Sequence, residues 1–172
     1  MTLDRRFPVG PFERPARVDA VQVARWIDEI ADLPSALRAT LDALEPRLLD
    51  VPYRAGGWTR RQVVQHLADS HTNSLVRFKW ALTEERPTIK AYDERAWAEL
   101  PDVASVPLSS TLDYLEHLHG RWVALLRALT PAQLAREFVH PASGPIDLAT
   151  NVGGYAWHGR HHLAHLTLPA ES

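Results

Sequence analysis

Apolar side chains recur every three or four residues along four long stretches of the sequence, which predicts four amphipathic helices. The first helix is predicted over about 19–44, and Pro34 is expected to kink or split it because proline lacks a backbone N–H. A capping-box pattern predicts that the second helix occupies about 59–83, and the others are predicted over about 110–129 and 148–168. Because no run of strands competes with these helices, the pattern predicts an all-α four-helix bundle.

Proline and glycine positions predict how the helices are joined. The length of the connection after the second helix leaves the order of the helices in the bundle open. The predicted segments are an extended N-terminal arm over 7–15, a loop over 50–58 with a turn at Gly56-Gly57, a long connection over 84–107 with a short helix near 93–100, a helical turn opened by Thr130-Pro131, and a tight two-stranded turn or hairpin over 138–148.

The composition indicates one ordinary globular domain over residues 1–172, with 45% hydrophobic and 23% charged residues. A net charge of -2 without a long basic run argues against a protein that binds nucleic acid through its phosphates. No apolar stretch is long enough to span a membrane and the N-terminus lacks a signal-peptide pattern, so a cytoplasmic location is expected. Because the sequence has no cysteine, any bound metal must have His, Asp, Glu or water as ligands.

The last predicted helix holds four of the nine histidines, all within 158–165. At about 100° per residue, His158, His162 and His165 fall within roughly 60° of one another on this helix. His158 and His162 are four residues apart, so both imidazoles can reach one point, but His161 and His165 form a second pair with the same spacing. Apolar neighbours indicate that the helix is buried, and buried imidazoles need hydrogen-bond partners or a metal.

A catalytic metal site commonly takes three protein ligands, so a pair of histidines on one helix requires a third ligand from elsewhere. His66 lies beside the apolar stripe of the second predicted helix and is preferred to His71 and His119 as that ligand. A histidine cluster that is purely structural is the competing interpretation. Histidine donors suit zinc, nickel, iron or manganese and do not choose among them.

Four motifs resemble those of the YfiT branch of the DinB-like superfamily, and the likeness extends over nearly the whole chain. The motifs are Pro52-Tyr53-Arg54-Ala55-Gly56-Gly57-Trp58-Thr59, Val63-Val64-Gln65-His66-Leu67-Ala68-Asp69-Ser70-His71, His119-Gly120-Arg121-Trp122, and the stretch from Trp157-His158 to His165.

The resemblance implies a four-helix bundle with one divalent metal ion, zinc or nickel, bound by His66, His158 and His162. It thereby removes the alternative pair of His161 and His165, for which packing or hydrogen-bonding roles are then expected. Members of the family are recorded as metal-dependent hydrolases, and relatives include transferases that use low-molecular-weight thiols such as bacillithiol. The resemblance also implies a homodimer.

Three further residues are candidates for binding or catalysis, each with a structural alternative. Asp69 lies three residues after His66 and could orient it or act as an acid or base; the alternative is an exposed helix carboxylate. His71 could shuttle protons or bind substrate, and the alternative is a hydrogen-bonded structural histidine. Arg121 could clamp a carboxylate of a thiol cosubstrate, and the alternative is a surface salt bridge.

These observations lead to one expected function and two alternatives. The leading expectation is an enzyme that transfers a bacillithiol-type thiol to a small-molecule electrophile, because a metal ion stabilises the reactive thiolate. The first alternative is a metal-dependent hydrolase that activates a metal-bound water. The second is a bundle without catalytic activity whose metal is structural or sensory.

Overall fold

The computed structural model describes residues 4–169 and confirms the predicted four-helix bundle; residues 1–3 and 170–172 of the predicted domain lie outside it. No helix in the described range is long and apolar enough to cross a membrane. The elements are α1 (Ala20–Asp42), a 3-10 turn (Pro46–Leu48), α2 (Arg60–Thr83), α3 (Glu94–Trp97), α4 (Pro101–Ser105), α5 (Leu108–Arg127), α6 (Pro131–Leu134), the antiparallel strands β1 (Glu137–His140) and β2 (Gly144–Asp147), and α7 (Leu148–Thr167).

Side chains that precede three of the long helices explain where those helices begin. Asp19 accepts a hydrogen bond at 2.8 Å from the backbone N–H three residues later, at the start of α1. Thr59 and Gln62 form the predicted capping box of α2. Asp147 accepts from the N–H of Thr150 at 2.7 Å and begins α7. Each cap satisfies a donor that the first turn of a helix leaves without a helical partner.

α1 continues through Pro34 as one helix, so the expectation of a split there is wrong. Pro34 is buried beside Leu33 and Leu37, and this burial offsets the missing backbone hydrogen bond. In an α-helix the N–H of residue 34 would bond to the carbonyl oxygen of Ile30. Because proline has no N–H, that carbonyl oxygen is left available to another donor.

The four long helices are not arranged in sequence order around the bundle. α1 packs against α5 and α7, and α2 packs against the same two helices, so α1 and α2 lie diagonally across the bundle. As a result α2 and α7, which are far apart in the sequence, are neighbours along their length. Side chains on their facing sides can therefore build a single site.

Two glycines allow α7 to lie close against α1. An ideal Cβ added at Gly153 would fall 2.8 Å from Cη2 of Trp26, and one added at Gly159 would fall 2.8 Å from Cδ2 of Leu33. Both distances are shorter than real Cβ contacts, so a larger residue at either position would require the Trp26 ring, the Leu33 side chain or the helices themselves to move. Because Gly159 directly follows His158, this contact also fixes how deeply that part of α7 sits in the bundle.

The end of α7 is bound by Arg60, the first residue of α2, whose side chain is fully buried. Its Nε donates to the carbonyl oxygen of Leu166 at 3.1 Å, and its Nη2 donates to that of Leu168 at 2.6 Å. Its Nη1 donates to the carbonyl oxygen of Val51 at 3.1 Å. A cation at the C-terminus of a helix satisfies its free carbonyl groups and opposes its dipole.

The predicted N-terminal arm is confirmed as a segment without helix or strand that lies across α7. The indole Nε1 of Trp157 donates to the carbonyl oxygen of Gly10 at 3.0 Å, and Phe12 packs against the same indole. These contacts place the first residues of the arm beside the histidines of α7.

Candidate metal centre

The structure brings His66, His158 and His162 together between α2 and α7, and we call these three residues the ligand triad. One candidate ligand nitrogen from each ring lies within 4.8 Å of those from the other two. The Nε2 atoms of His66 and His158 are 3.1 Å apart. His158 and His162 are one helical turn apart on α7, and His66 reaches them from the neighbouring helix. The geometry is therefore what the i,i+4 spacing and the resemblance predicted, while metal binding itself stays a prediction.

Burial keeps the three rings of the ligand triad neutral near pH 7. Loss of hydration lowers the pKa of His66 to about 4. The same cause, followed by the neighbouring histidines, lowers the pKa of His158 and of His162 well below the ordinary value. Neutral imidazole is the form that binds a metal, so no proton has to be removed before binding.

The chemistry of these donors fits a divalent transition-metal ion. Two ring nitrogens that face each other at 3.1 Å need a proton or a cation between them, and a cation can also reach His162. Within residues 4–169, the two groups of side chains close enough to share one ion consist only of histidines. An all-imidazole donor set suits zinc or nickel and would disfavour magnesium or calcium.

A cleft of about 660 Å³ opens beside the ligand triad. Its walls carry aromatic rings and both signs of charge. The residues that line it beyond the histidines are Arg6, Phe7, Tyr53, Arg54, Gly56, Gly57, Trp58, Glu94, Arg95, Glu99 and Trp157. A cleft of this size lined by a candidate set of metal ligands has the usual form of a small-molecule site.

The loop that follows α1 supplies one wall of this cleft and contains the predicted glycine turn. Gly56 has a φ of +65°, which a residue without a Cβ adopts at little cost. The turn allows the N–H of Tyr53 to donate to the carbonyl oxygen of Trp58 at 3.1 Å. The indole of Trp58 then lies over His66, with ring centroids 4.6 Å apart. The loop thus covers the triad with aromatic surface.

Arg54, on the same loop, is one of three arginines that line this cleft, together with Arg6 and Arg95. Its Nη1 donates to the carbonyl oxygen of Ala55 at 3.0 Å, and its buried Nε has no hydrogen-bond partner within the described part of the chain. Arg6, in contrast, forms an ion pair with Asp4 at 3.0 Å. Arg54 and Arg95 form no ion pair within residues 4–169, so their guanidinium groups are the cations that an anionic ligand of the cleft could use.

Three more histidines, which we call the outer histidines, contact the ligand triad or extend from it. His71 Nε2 lies 3.1 Å from Nδ1 of His158, and His71 Nδ1 lies 2.9 Å from Nε2 of His119. His119 Nδ1 donates to the carbonyl oxygen of Ile30 at 2.7 Å. Burial lowers the pKa of both His71 and His119.

The third outer histidine, His165, contacts the other side of the triad. Its Nδ1 lies 3.3 Å from Nδ1 of His162, and its Nε2 donates to the carbonyl oxygen of Arg5 at 3.1 Å. Burial lowers the pKa of His165 to about 4. His161 instead stacks on Trp157, and its Nδ1 is buried without a hydrogen-bond partner in the described structure.

The structure does not bring Asp69 or Arg121 into the cleft. Asp69 lines a separate cavity of about 460 Å³ beside Asp102 and Tyr114. Burial, with a smaller effect of Asp102, raises the pKa of Asp69 to about 6. Arg121 is exposed on α5 and is not among the residues that line the cleft. Catalytic roles for both remain predictions, and of the three extra candidates only His71 touches the triad.

Sequence reasoning missed two features of the site. The cleft-lining role of Arg54 depends on a loop conformation, although the loop itself was predicted from its glycines. The contact between His119 and Ile30 joins residues 89 positions apart. The available signal was Pro34, because a helical proline releases the carbonyl group four residues before it.

The fold and the site agree with the kinship of the sequence. Residues 29–166 match the DinB superfamily, and the chain belongs to that family. A "putative metal-dependent hydrolase" of Oceanobacillus iheyensis is 48% identical over 165 residues, which cover 96% of this chain and 95% of the relative. One of the same description from Bacillus mycoides is 51% identical over 164 residues, covering 95% and 94% respectively.

Among solved structures, YfiT from Bacillus subtilis superimposes with a TM-score of 0.92 at 45% identity, over 95% of this chain and 94% of that one. It is described as "a probable metal-dependent hydrolase with an unusual four-helix bundle topology". A second four-helix bundle protein, TT2238, has a TM-score of 0.59 at 22% identity, over 86% of this chain and 99% of that one, and supports the fold alone. Together with the histidine site, the relatives support a metal-dependent enzyme.

Proposed function

We propose that this protein transfers a low-molecular-weight thiol of the bacillithiol type to a small electrophile, with one zinc or nickel ion held by His66, His158 and His162. The observation that carries the proposal is the convergence of three neutral imidazoles, from two helices, at the floor of a cleft. An ion held by neutral ligands keeps its full positive charge. When bound, such an ion would stabilise the thiolate form of a thiol, which is the nucleophilic form.

The protein's own side chains would position the two reactants and keep water away. The indole of Trp58 covers His66, and the ring of Tyr53 stacks on His165 in the same cleft. Arg54 would hold a negatively charged group of the thiol cosubstrate through its guanidinium group. The thiol proton passes to water when the thiolate forms; the thiolate sulfur then bonds to the electrophilic carbon, and the leaving group departs with the electron pair of the broken bond.

The absence of cysteine from the sequence is compatible with an external thiol. No thiol of the protein itself can compete with the cosubstrate for the ion or be alkylated by the electrophile. The homodimer and the cytoplasmic location expected from the sequence belong to this proposal as well.

A metal-dependent hydrolase is the second candidate, and the descriptions of the relatives favour it. In that case the same ion would serve as a Lewis acid for an ester or amide bound in the cleft. Glu94 and Glu99, which line the cleft, are the carboxylates available there as a general base.

One experiment separates these functions. Metal-loaded protein is incubated with monochlorobimane, with and without bacillithiol, and separately with p-nitrophenyl acetate. We expect fluorescence from the thiol–bimane product to form faster than without protein, and the acceleration to vanish in His162→Ala. The exposed His117 offers a matched control, since His117→Ala should keep the activity. Ester cleavage without any effect on the thiol reaction would overturn the proposal in favour of hydrolysis.

A further inference from the structure

Two backbone carbonyl groups stand at the ends of the hydrogen-bonded histidines around the triad. The carbonyl oxygen of Ile30 accepts from Nδ1 of His119 at 2.7 Å, and that of Arg5 accepts from Nε2 of His165 at 3.1 Å. A carbonyl oxygen can only accept a hydrogen bond, so the contacting ring nitrogen must carry the hydrogen. Each contact therefore fixes the tautomer of one outer histidine.

The tautomer of His119 determines those of the next two rings. With its hydrogen on Nδ1, neutral His119 has a lone pair on Nε2, which faces Nδ1 of His71 at 2.9 Å. His71 must then carry its hydrogen on Nδ1 and accept at Nε2, 3.1 Å from Nδ1 of His158. His158 in turn carries its hydrogen on Nδ1. Three neutral rings supply three hydrogens to three contacts, so the series is complete without any charge.

The same argument applies to His162 from the other side. His165 has its hydrogen on Nε2, toward the carbonyl oxygen of Arg5, and so presents a lone pair at Nδ1. That lone pair faces Nδ1 of His162 at 3.3 Å, which must carry the hydrogen. His158 and His162 therefore both have a free lone pair at Nε2. In His158 this is the nitrogen that lies 3.1 Å from Nε2 of His66.

The carbonyl oxygen of Ile30 can accept from His119 because residue 34 is a proline. A residue with an N–H at position 34 would donate to the same oxygen as part of the helix. Proline cannot donate, so the oxygen of a buried helical carbonyl is open to a side chain from α5. His119 is 1% exposed and His71 is fully buried, so water does not compete for these contacts.

We propose that the carbonyl groups of Ile30 and Arg5 act through His119, His71 and His165 to select Nε2 of His158 and His162 as the metal-binding atoms before any ion arrives. His71, His119 and His165 are positioning residues, and Pro34 leaves the Ile30 oxygen available to His119. The inference rests on the metal site of the proposed function but not on the reaction catalysed there. A hydrogen bond from the second nitrogen of a ligand histidine generally orients the ring and strengthens metal binding.

The direct test is a long-range ¹H–¹⁵N NMR correlation of the histidine rings in metal-free and zinc-loaded protein at neutral pH. The ring-nitrogen shifts distinguish the Nδ1–H from the Nε2–H tautomer. We expect the Nδ1–H form for His71, His119, His158 and His162 and the Nε2–H form for His165, with and without zinc. An Nε2–H tautomer at His71 or His119 in metal-free protein would overturn the proposal, whether or not the protein is a thiol transferase.

A pair of variants at position 119 tests the effect on metal affinity. Glutamine can still donate to the Ile30 oxygen and accept from His71, whereas leucine can do neither. We expect His119→Leu to weaken zinc binding about 10–100-fold in competition with a chromophoric chelator, and His119→Gln to restore most of that loss. Equal affinities of the two variants would contradict a positioning role. The NMR test on unmodified protein remains decisive if His119→Leu does not fold.

Two further measurements test separately the contacts on the His119 side and on the His165 side of the ligand triad. Pro34→Ala returns an N–H to the helix, so we expect greater thermal stability together with weaker zinc binding; stronger or unchanged binding would remove Pro34 from the proposal.

His161, His162 and His165 also lie close enough to share an ion. In the proposal, however, Nδ1 of His165 accepts a hydrogen bond from His162 and does not bind metal. Titration of metal-free protein should accordingly stop at one equivalent of zinc. Binding of two equivalents, with Nδ1 of His165 as a ligand, would overturn the claim that His165 fixes the tautomer of His162.

Discussion

Gly153 of α7 lies directly against the indole ring of Trp26 in α1, with room for a hydrogen but not for a methyl group. An ideal Cβ there would approach three ring carbons at 2.8–2.9 Å. We expect Gly153→Ala to destabilise the protein by about 1–3 kcal/mol, because the buried Trp26 ring has to move. Urea unfolding monitored by circular dichroism measures the change.

The adjacent Gly154 is the matched control for this prediction. Its ideal Cβ meets only Phe12, at 3.8 Å, which is an ordinary contact. Because alanine favours a helix over glycine, we expect Gly154→Ala to raise stability by up to about 1 kcal/mol. Two neighbouring glycines of one helix should thus respond in opposite directions. Stabilisation by both substitutions would show that the close approach of α1 and α7 is unimportant.

Metal content should depend on the ligand triad and not on the other histidines. Protein purified without a polyhistidine tag is expected to hold one equivalent of zinc or nickel by elemental analysis. His66→Ala and His162→Ala should each lose most of it, because two remaining imidazoles are too few for tight binding. His117→Ala, on the exposed face of α5, should retain one equivalent. Full metal content in both triad variants would refute the assignment.

Arg60 should be among the most sensitive positions for stability. Arg60→Met would leave the carbonyl groups of Leu166 and Leu168 without their donor, at a cost of about 3 kcal/mol in the free energy of unfolding. The neighbouring Arg61 pairs with the exposed Asp50 at 2.7 Å. Arg61→Met should therefore cost at most about 1 kcal/mol. Chemical denaturation of both variants tests the contrast, and similar losses would contradict it.

The metal-free protein should lose stability as the pH falls from about 6.5 to about 4. Histidine has an ordinary pKa of about 6.5 in the unfolded chain, whereas burial lowers the pKa of His66 and His165 to about 4. In that interval the unfolded state takes up protons that the folded state does not, so acid favours unfolding. Urea midpoints at pH 7.5, 6 and 5 measure the effect, and His66→Gln should reduce it. A midpoint independent of pH would contradict the burial argument.

Asp69 should have the opposite pH dependence. Burial raises its pKa to about 6 in the folded protein, above the unfolded value of 3.8. The stability associated with this group is present below pH 3.8 and is lost as the pH rises through 6. We therefore expect Asp69→Asn to stabilise the protein at pH 8 by about 1 kcal/mol, after allowance for solvent screening, and much less at pH 4. Equal effects at both values would show that Asp69 does not titrate in this way.

The helices could be predicted because their signals are local. Capping residues such as Thr59 and the spacing of apolar side chains act within a few residues, and both α2 and α7 begin close to the predicted positions. The pairing of His158 with His162 is also local, since it follows from one helical turn. The place of His66 beside the apolar stripe of α2 already favours it as their partner, and the family resemblance implies the same residue, but only the structure shows that α2 and α7 are neighbours.

Other parts of the site depend on packing that the sequence does not show. Asp69 is three residues from His66, and about 60° of helix rotation is enough to turn it toward a different cavity. The contact of His119 with Ile30 requires α5 to lie beside α1, which follows from the diagonal placement of α1 and α2. The sequence pattern indicates a helix breaker at Pro34, whereas the effect of this residue in the folded protein is to release an acceptor.

The separation of the ligands along the chain has a consequence for biosynthesis. His66 precedes His158 by 92 positions, and α5 and the β-hairpin are made in between. Before α7 is made, a growing polypeptide on the ribosome would present only one member of the ligand triad, and one imidazole is too few to retain an ion tightly. Metal capture at the triad is therefore expected only after α7 has been made and has docked against α2. The ion that is acquired then depends on what the cell supplies to a finished protein, not on what a nascent one meets.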